Sequence, residues 1–115
     1  MIQFKQVVID ECHILKVTKD SFFKSVVYLL AEDKDEYHKF FKSYTISELI
    51  VEQSRISYAK NFEIEEIYYF DGSSDFHFYS QVYVSALDND KDKEFLCTYT
   101  LMLNERLEIV DDFLL

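Results

Sequence analysis

Proline and tryptophan are absent from this chain, and Gly72 is its one glycine. With a single glycine the chain cannot form the glycine-rich loop that cradles phosphate groups, which excludes nucleotide hydrolysis by that route. Most turns must instead be made by Asp, Asn, Ser and Lys, and there are few positions at which a helix or strand is obliged to break.

Cysteines and long apolar runs are also scarce. Cys12 and Cys97 are far apart and match no zinc, redox or haem-attachment spacing, so we expect two buried free thiols in a reducing compartment, with a disulfide as the alternative. No apolar run approaches the roughly 20 residues that cross a bilayer, and the first residues lack the pattern of a signal peptide. We therefore expect a cytoplasmic protein. At 115 residues, 49% of them hydrophobic, it is long enough for one domain spanning residues 1–115.

The charge of the chain is asymmetric. The formal net charge is −10, and all of the excess falls on residues 62–115, which carry 13 acidic and 3 basic side chains, whereas residues 1–61 carry 9 of each. A field of this sign repels nucleic-acid phosphate and anionic membranes and attracts basic partners. The composition therefore disfavours direct nucleic-acid binding and favours a basic protein partner.

The first half of the chain has helical patterns. A helix is predicted after Asp20 as its N-cap, over residues 21–31, with a second helix over 34–44. Thr45 and Glu48 have the spacing of a capping box, which predicts a short third helix over 46–54. Residues 1–19 fit either a strand or an opening helix, and the helices predicted after them favour a helix there.

Alternating apolar residues predict four strands in the second half, over residues 62–70, 76–87, 94–103 and 107–115. Short connections between them predict an antiparallel meander. The predicted fold class is α+β, with about three N-terminal helices packed on the concave face of a curved four-stranded sheet. This order of elements is similar in outline to the cone-shaped nuclear-transport-factor-2-like and cystatin-like folds, a resemblance that no sequence motif carries.

The segment LDNDKDKE, residues 87–94, places aspartates at every second position. A calcium loop beginning at Asp88 would need Gly sixth and Glu twelfth, but those positions hold Lys93 and Tyr99, so a hairpin tip is predicted and no metal site. A meander sends alternate connections to one end of the sheet. The carboxylates expected to gather at that end belong to Glu63, Asp88, Asp90, Asp92, Glu94 and Asp112. They form either a partner-binding patch or a solubilising rim.

The second face of the predicted sheet is too apolar for plain exposure to solvent. It is expected to carry Tyr79, Tyr83, Leu87, Leu96, Met102, Val110 and Leu114, whereas Phe95, Phe113 and Leu115 are expected to face the helices. A helix, a second copy of the chain or a partner should cover it. Tyr79 and Tyr83 join the predicted partner-binding residues, since tyrosine buries a large area and keeps a polar tip wet.

No catalytic, cofactor-binding or metal-binding motif emerges, and His13, His38 and His77 share no ligand spacing. We therefore expect a non-enzymatic acidic binding protein, such as a bacterial immunity or inhibitor protein that neutralises a toxin nuclease or another nucleic-acid-handling enzyme. One alternative is a nuclear-transport-factor-2-like small-molecule site or enzyme, with polar groups from Glu66, Tyr68, Tyr99 or His77. Another is a structural dimer or adaptor subunit that uses the outer sheet face.

Overall fold

The computed structural model describes residues 8–60 and 76–115. Its elements are α1 (Glu11–Glu32), α2 (Lys34–Phe41), a single 3-10 turn (Ile46–Glu48), and strands β1 (Ile50–Lys60), β2 (Phe76–Leu87), β3 (Lys93–Leu103) and β4 (Ile109–Leu114). The strands form one sheet in the order β1-β2-β3-β4, and every neighbouring pair is antiparallel. The α+β class is confirmed, and β2, β3 and β4 form the predicted meander.

Helix α1 begins at Glu11, so the helix favoured within residues 1–19 is confirmed over residues 11–19, whereas the separate helix start predicted at Asp20 is wrong. Asp10 is its N-cap and accepts a hydrogen bond from the His13 N–H at 3.2 Å, while Asp20 lies exposed within the helix. The buried stripe of α1 repeats every four residues and consists of Ile14, Thr18, Phe22 and Val26. Because Thr18 is polar, the apolar period is interrupted there, which is why the predicted start at Asp20 was wrong.

The predicted third helix is also wrong, although its starting signal is present. The Glu48 carboxylate accepts hydrogen bonds from the Thr45 N–H at 3.0 Å and from its hydroxyl at 2.9 Å. Only one 3-10 turn forms, and the chain then enters β1, in which Val51 is buried. Two α-helices are thus present within residues 8–60 and 76–115. The predicted strand over 62–70 lies outside the described residues, and the first described strand is β1.

The core lies between the helices and the inner face of the sheet. Phe22 is fully buried, and its ring contacts the rings of Phe41 and Tyr99 edge-to-face, with centroids 6.0 and 5.3 Å apart. The buried side chains that the strands contribute to this core are Val51, Phe78, Val82, Val84, Cys97, Tyr99, Leu101 and Leu103. Burial of each large apolar side chain stabilises the fold by roughly 1.5–3 kcal/mol, so the helices are held mainly by this layer.

A bulge between β2 and β3 changes which side chains face out. Val84 lies opposite Cys97, but the next residue, Ser85, lies opposite Phe95, so Leu96 is the extra residue. Phe95 therefore points away from the helices and is 59% exposed, whereas Leu96 packs against the core. Simple alternation predicts the reverse for both residues. The prediction fails because one inserted residue exchanges the two faces for all residues of the strand beyond the bulge.

The facing of Phe113 and Leu114 in β4 is likewise the reverse of the prediction. Leu114 lies opposite the inward-facing Tyr99 and packs against the core, whereas Phe113 lies opposite Thr100 on the outer face. A second register shift, between Met102 and Leu103, accompanies this pairing. Directly opposed residues share a face of the sheet, so the pairing with β3 determines which side chains of β4 face the helices. A six-residue strand is too short for its apolar alternation to predict this.

Both cysteines are free thiols, as predicted. Cys97 is buried on the inner face of β3, and burial raises the pKa of its thiol to about 12. Cys12 is exposed in the first turn of α1, so the expectation that both thiols are buried was wrong for Cys12.

Candidate functional site

The connection between β2 and β3 is built around Asp88. Its Oδ1 accepts hydrogen bonds from the backbone N–H groups of Asp90 and Asp92, both at 2.9 Å, and Lys91 adopts a positive φ of 62°. The Asp88 carboxylate therefore replaces the backbone partners that the turn lacks, which is an ordinary use of aspartate in turns. Asp90 and Asp92 are exposed and direct their charge to solvent. The hairpin-tip prediction is confirmed.

Lysines partly balance the carboxylates beside this turn. Glu94 forms an ion pair with Lys42, which follows α2, and Glu52 of β1 forms one with Lys93. The hydrogen bond from Lys42, followed by that from the Tyr44 hydroxyl at 2.7 Å, lowers the pKa of Glu94. The negative charge that remains at this end comes from Asp88, Asp90 and Asp92, and the exposed Lys91 in the same turn offsets part of it.

The Tyr44 hydroxyl is affected by several of these acidic groups. The hydrogen bond to Glu94 is the main cause that raises the pKa of Tyr44 to about 12, with further contributions from burial and from the charges of Glu94, Asp88 and Glu48. The Tyr44 hydroxyl is hydrogen-bonded to Glu94 and lies within the field of the Asp88 and Glu48 carboxylates. The predicted gathering holds for Asp88 and Glu94.

Asp112 does not belong to this gathering. It lies opposite Leu101, eight residues along β3 from Lys93, which corresponds to about 27 Å at about 3.4 Å per residue. Strand β4 ends opposite Tyr99 and so stops well short of the turn. The prediction that Asp112 joins the acidic end was therefore wrong, and Glu63 lies outside the described residues.

Exposed apolar side chains lie on the outer face beside the same turn. We call Tyr83, Leu87 and Phe95 the outer patch; they are 50%, 50% and 59% exposed. The Tyr83 and Phe95 rings meet edge-to-face with centroids 5.8 Å apart. They border a pocket of about 390 Å³ that the Glu52–Lys93 ion pair also lines. Tyr83 and Leu87 were expected on this face, whereas Phe95 was missed because the bulge is not visible in the alternation.

The outer face is not uniformly open. Tyr79 is half-buried, and Met102, which lies opposite it, is 2% exposed. The accessible apolar surface of β2 and β3 is therefore concentrated at the end that carries the acidic turn. Of the two tyrosines predicted to bind the partner, Tyr83 therefore lies on the accessible part of the outer face, whereas Tyr79 lies on the less accessible part.

A second polar cluster lies between α1 and the inner face of the sheet. The Tyr99 hydroxyl donates to Asp112 at 2.8 Å and lies 2.7 Å from the Ser21 hydroxyl, while Ser25 donates to Asp112 at 3.0 Å. Burial, above all, raises the pKa of Tyr99. The Thr18 hydroxyl meets that of Ser80 on β2 at 2.6 Å. Hydroxyl groups along α1 therefore form hydrogen bonds with side chains of β2, β3 and β4 in turn.

His77, the other described residue of the predicted small-molecule site, does not join this cluster. His77 is fully buried, but it lies opposite Ala59 and so shares the face of Tyr79 rather than that of Tyr99. Glu66 and Tyr68 lie outside the described residues. Of the two described residues, Tyr99 is the one placed between helix and sheet as that interpretation requires.

Residues 8–60 and 76–115 contain no group of three or more His, Cys, Asp or Glu side chains arranged to hold a metal ion. None of the described helices is long and apolar enough to span a bilayer. Comparison of the chain with protein-family models, with curated proteins and with solved structures found no match. The function of the chain is therefore inferred from the acidic turn, the outer patch and the polar cluster.

Proposed function

We propose that this chain is a non-enzymatic binding protein that captures a basic protein partner, in the manner of a bacterial immunity or inhibitor protein directed at a toxin nuclease or another nucleic-acid-handling enzyme. The observation that carries the proposal is the adjacency of the outer patch and the acidic β2–β3 turn at one end of the sheet. Both cysteines are free, which supports action in the cytoplasm.

The two parts of this surface have different roles. The Tyr83 and Phe95 rings, which contact each other, and the exposed Leu87 supply the kind of apolar centre that dominates binding energy at interfaces. Asp90 and Asp92, exposed at the rim, supply a field that accelerates encounter with a cationic surface and disfavours other partners. A basic partner with an apolar anchor would satisfy both parts at once.

The charge of the whole chain favours the same class of partner. The excess of acidic over basic residues lies in residues 62–115, which supply three of the four strands, including β2 and β3. A nuclease surface that binds nucleic acid is rich in Lys and Arg, and an acidic protein that covers it competes with phosphate for the same cations. Inhibition by occlusion requires no catalytic group.

The likeness in outline to the nuclear-transport-factor-2-like cone is part of this proposal. It is supported by the order of the elements, with two helices ahead of an antiparallel sheet and α1 over one sheet face. In such an arrangement the helices occupy the inner face and leave the outer face for a partner.

The first test reverses the exposed charges of the turn. Asp88 is left in place because its carboxylate holds the turn, and Asp90→Lys is combined with Asp92→Lys. The control carries the same charge change on α1, at the exposed Asp20 and Glu32. We expect the wild type to capture from a lysate of the source organism a basic protein that the control also captures. The turn variant should associate with that purified protein on the order of tenfold more slowly at low salt.

The second test removes the apolar centre. Phe95→Ala should accelerate dissociation of the same partner and weaken binding by about 2 kcal/mol or more. Tyr28→Ala is the control, because Tyr28 is 69% exposed on α1, on the other side of the sheet. Equal association rates for the two charge variants, or equal dissociation rates for the two alanine variants, would remove the proposal. Concentration-dependent dimerisation that Phe95→Ala abolishes would instead assign the patch to a second copy.

A further inference from the structure

The cluster around Asp112 opens into a pocket of about 390 Å³ between α1 and the β3–β4 edge of the sheet. Ser25, Tyr28 and Leu29 of α1 form one wall, and Tyr99, Asp112 and Leu114 form the other. Ligand pockets for small molecules range from about 300 to 1,000 Å³, so this one is of a size for a small organic molecule. It lies on the opposite face of the sheet from the outer patch.

Among the described residues, the side chains that donate to the Asp112 carboxylate in this pocket are neutral. Both hydrogen bonds that it accepts from side chains, from Tyr99 and Ser25, go to Oδ2. Within the described part of the chain, Asp112 forms no ion pair with any Lys, Arg or His. A half-buried carboxylate held in this way beside an apolar wall is best compensated by a cation that donates to its other oxygen.

The supporting contacts hold the carboxylate in one position. Because a carboxylate only accepts, Tyr99 donates its hydroxyl proton to Asp112, and Ser21 in turn donates to the Tyr99 oxygen. Tyr99 is 1% exposed and its ring packs on Phe22, so this donor cannot swing away. A recognition group supported by a second layer of buried hydrogen bonds is the arrangement that binding sites require.

We propose that this pocket binds a small organic cation, a primary amine on a short apolar body. The ammonium donates to Asp112, and the body lies along Tyr28, Leu29 and Leu114. Lys24 also lines the pocket, and its ammonium opposes a second cation. This site is separate from the partner surface, so an amine could bind whether or not the proposed partner exists.

The probes are 2-phenylethylamine, phenylacetate and 2-phenylethanol, which share a body and differ in charge. Calorimetry and NMR titration of the wild type should show saturable binding of the amine only, with shifts at Tyr28 and Leu114. Equal binding of all three probes, or no saturable binding of the amine, would overturn the proposal. This comparison needs no variant, so it remains decisive if a substitution disturbs folding.

Asp112→Asn tests the charge itself, because asparagine keeps the size of the side chain and an acceptor oxygen. We expect the amine to bind at least about tenfold more weakly, the effect of a lost charge-assisted hydrogen bond. Asp111→Asn is the matched control, since it makes the same change one residue away, on the residue opposite Met102 on the outer face. Lys24→Met should strengthen binding several-fold. Equal affinities in the two asparagine variants would contradict the role of Asp112.

Discussion

Replacing Tyr99 with Phe tests whether the polar cluster under α1 stabilises the fold. The change removes one oxygen and keeps the ring, so the packing of that ring against Phe22, with centroids 5.3 Å apart, is preserved. It also removes two contacts, the hydrogen bond to Asp112 at 2.8 Å and the one from Ser21 at 2.7 Å. The substitution therefore separates the hydrogen bonds of Tyr99 from its apolar burial.

The expected cost depends on the kind of each hydrogen bond. A bond to a charged acceptor contributes about 1.5–3 kcal/mol and a neutral one about 0.5–1.5 kcal/mol. Asp112 is half-buried and keeps the hydrogen bond from Ser25, so the charged bond belongs at the lower end of its range. We expect Tyr99→Phe to lower the free energy of unfolding by about 1–3 kcal/mol, a substantial part of a typical total of about 5–15 kcal/mol.

Urea unfolding at neutral pH measures this difference directly, provided that the slope against denaturant is unchanged. Tyr83→Phe is the matched control, because Tyr83 is 50% exposed on the outer face and loses the same oxygen. Its effect should stay within about 0.5 kcal/mol. A Tyr99→Phe protein as stable as the wild type would show that the cluster adds nothing net, and the claim that it holds Asp112 in place would fall with it.

The remaining predictions concern titrating groups. Burial raises the pKa of Cys97 to about 12, whereas the unfolded thiol ionises near about 8.5; above that value the unfolded chain gains charge that the folded chain does not. In urea unfolding, the free energy of unfolding should therefore fall as the pH rises from 8 toward 10 in Cys12→Ala, which keeps the buried thiol, and should fall less in Cys97→Ala, which lacks it. Equal losses in the two variants would contradict this. Glu94→Gln replaces the charged acceptor of the hydrogen bond that chiefly raises the pKa of Tyr44 with a neutral one, so spectrophotometric titration should find that pKa lower than about 12. Because the pKa of Glu94 is lower in the folded chain than in the unfolded chain, the ionised Glu94 stabilises the fold above its unfolded pKa, and this stabilisation is lost as the pH falls. An acid unfolding curve that is unchanged in Glu94→Gln would refute this.

The sequence predicts the class of the fold and the ends of β2 and β3 closely, because alternation over eleven or twelve residues is a strong signal. It misses β1, since Ile46, Leu49 and Ile50 also fit one face of a helix and the capping box at Thr45 supports a helical start. A capping box fixes only the first turn. The conformation of the residues after that turn is decided by pairing with β2, a long-range contact that local spacing does not contain.

The candidate site is predictable only in part, for a similar reason. The turn at Asp88 is readable from composition, because aspartates between two apolar runs favour a hairpin tip. The position of Asp112 depends on how far β4 extends along β3, and that of Phe95 depends on a bulge. Both are properties of register, and a shift of one residue exchanges the two faces of a strand.

The bulge explains how one sequence supplies both a core and an outer patch. Leu96 takes the inward place that alternation assigns to Phe95, so the core keeps a large apolar side chain at this level. At 59% exposure, Phe95 contributes little to folding, and a small polar residue there would cost the fold little. A lone exposed aromatic is ordinary, but this ring contacts Tyr83 beside an acidic turn that Asp88 holds rigidly. The stability of the fold does not account for that arrangement, and this is the reason that we propose contact with a cationic partner there.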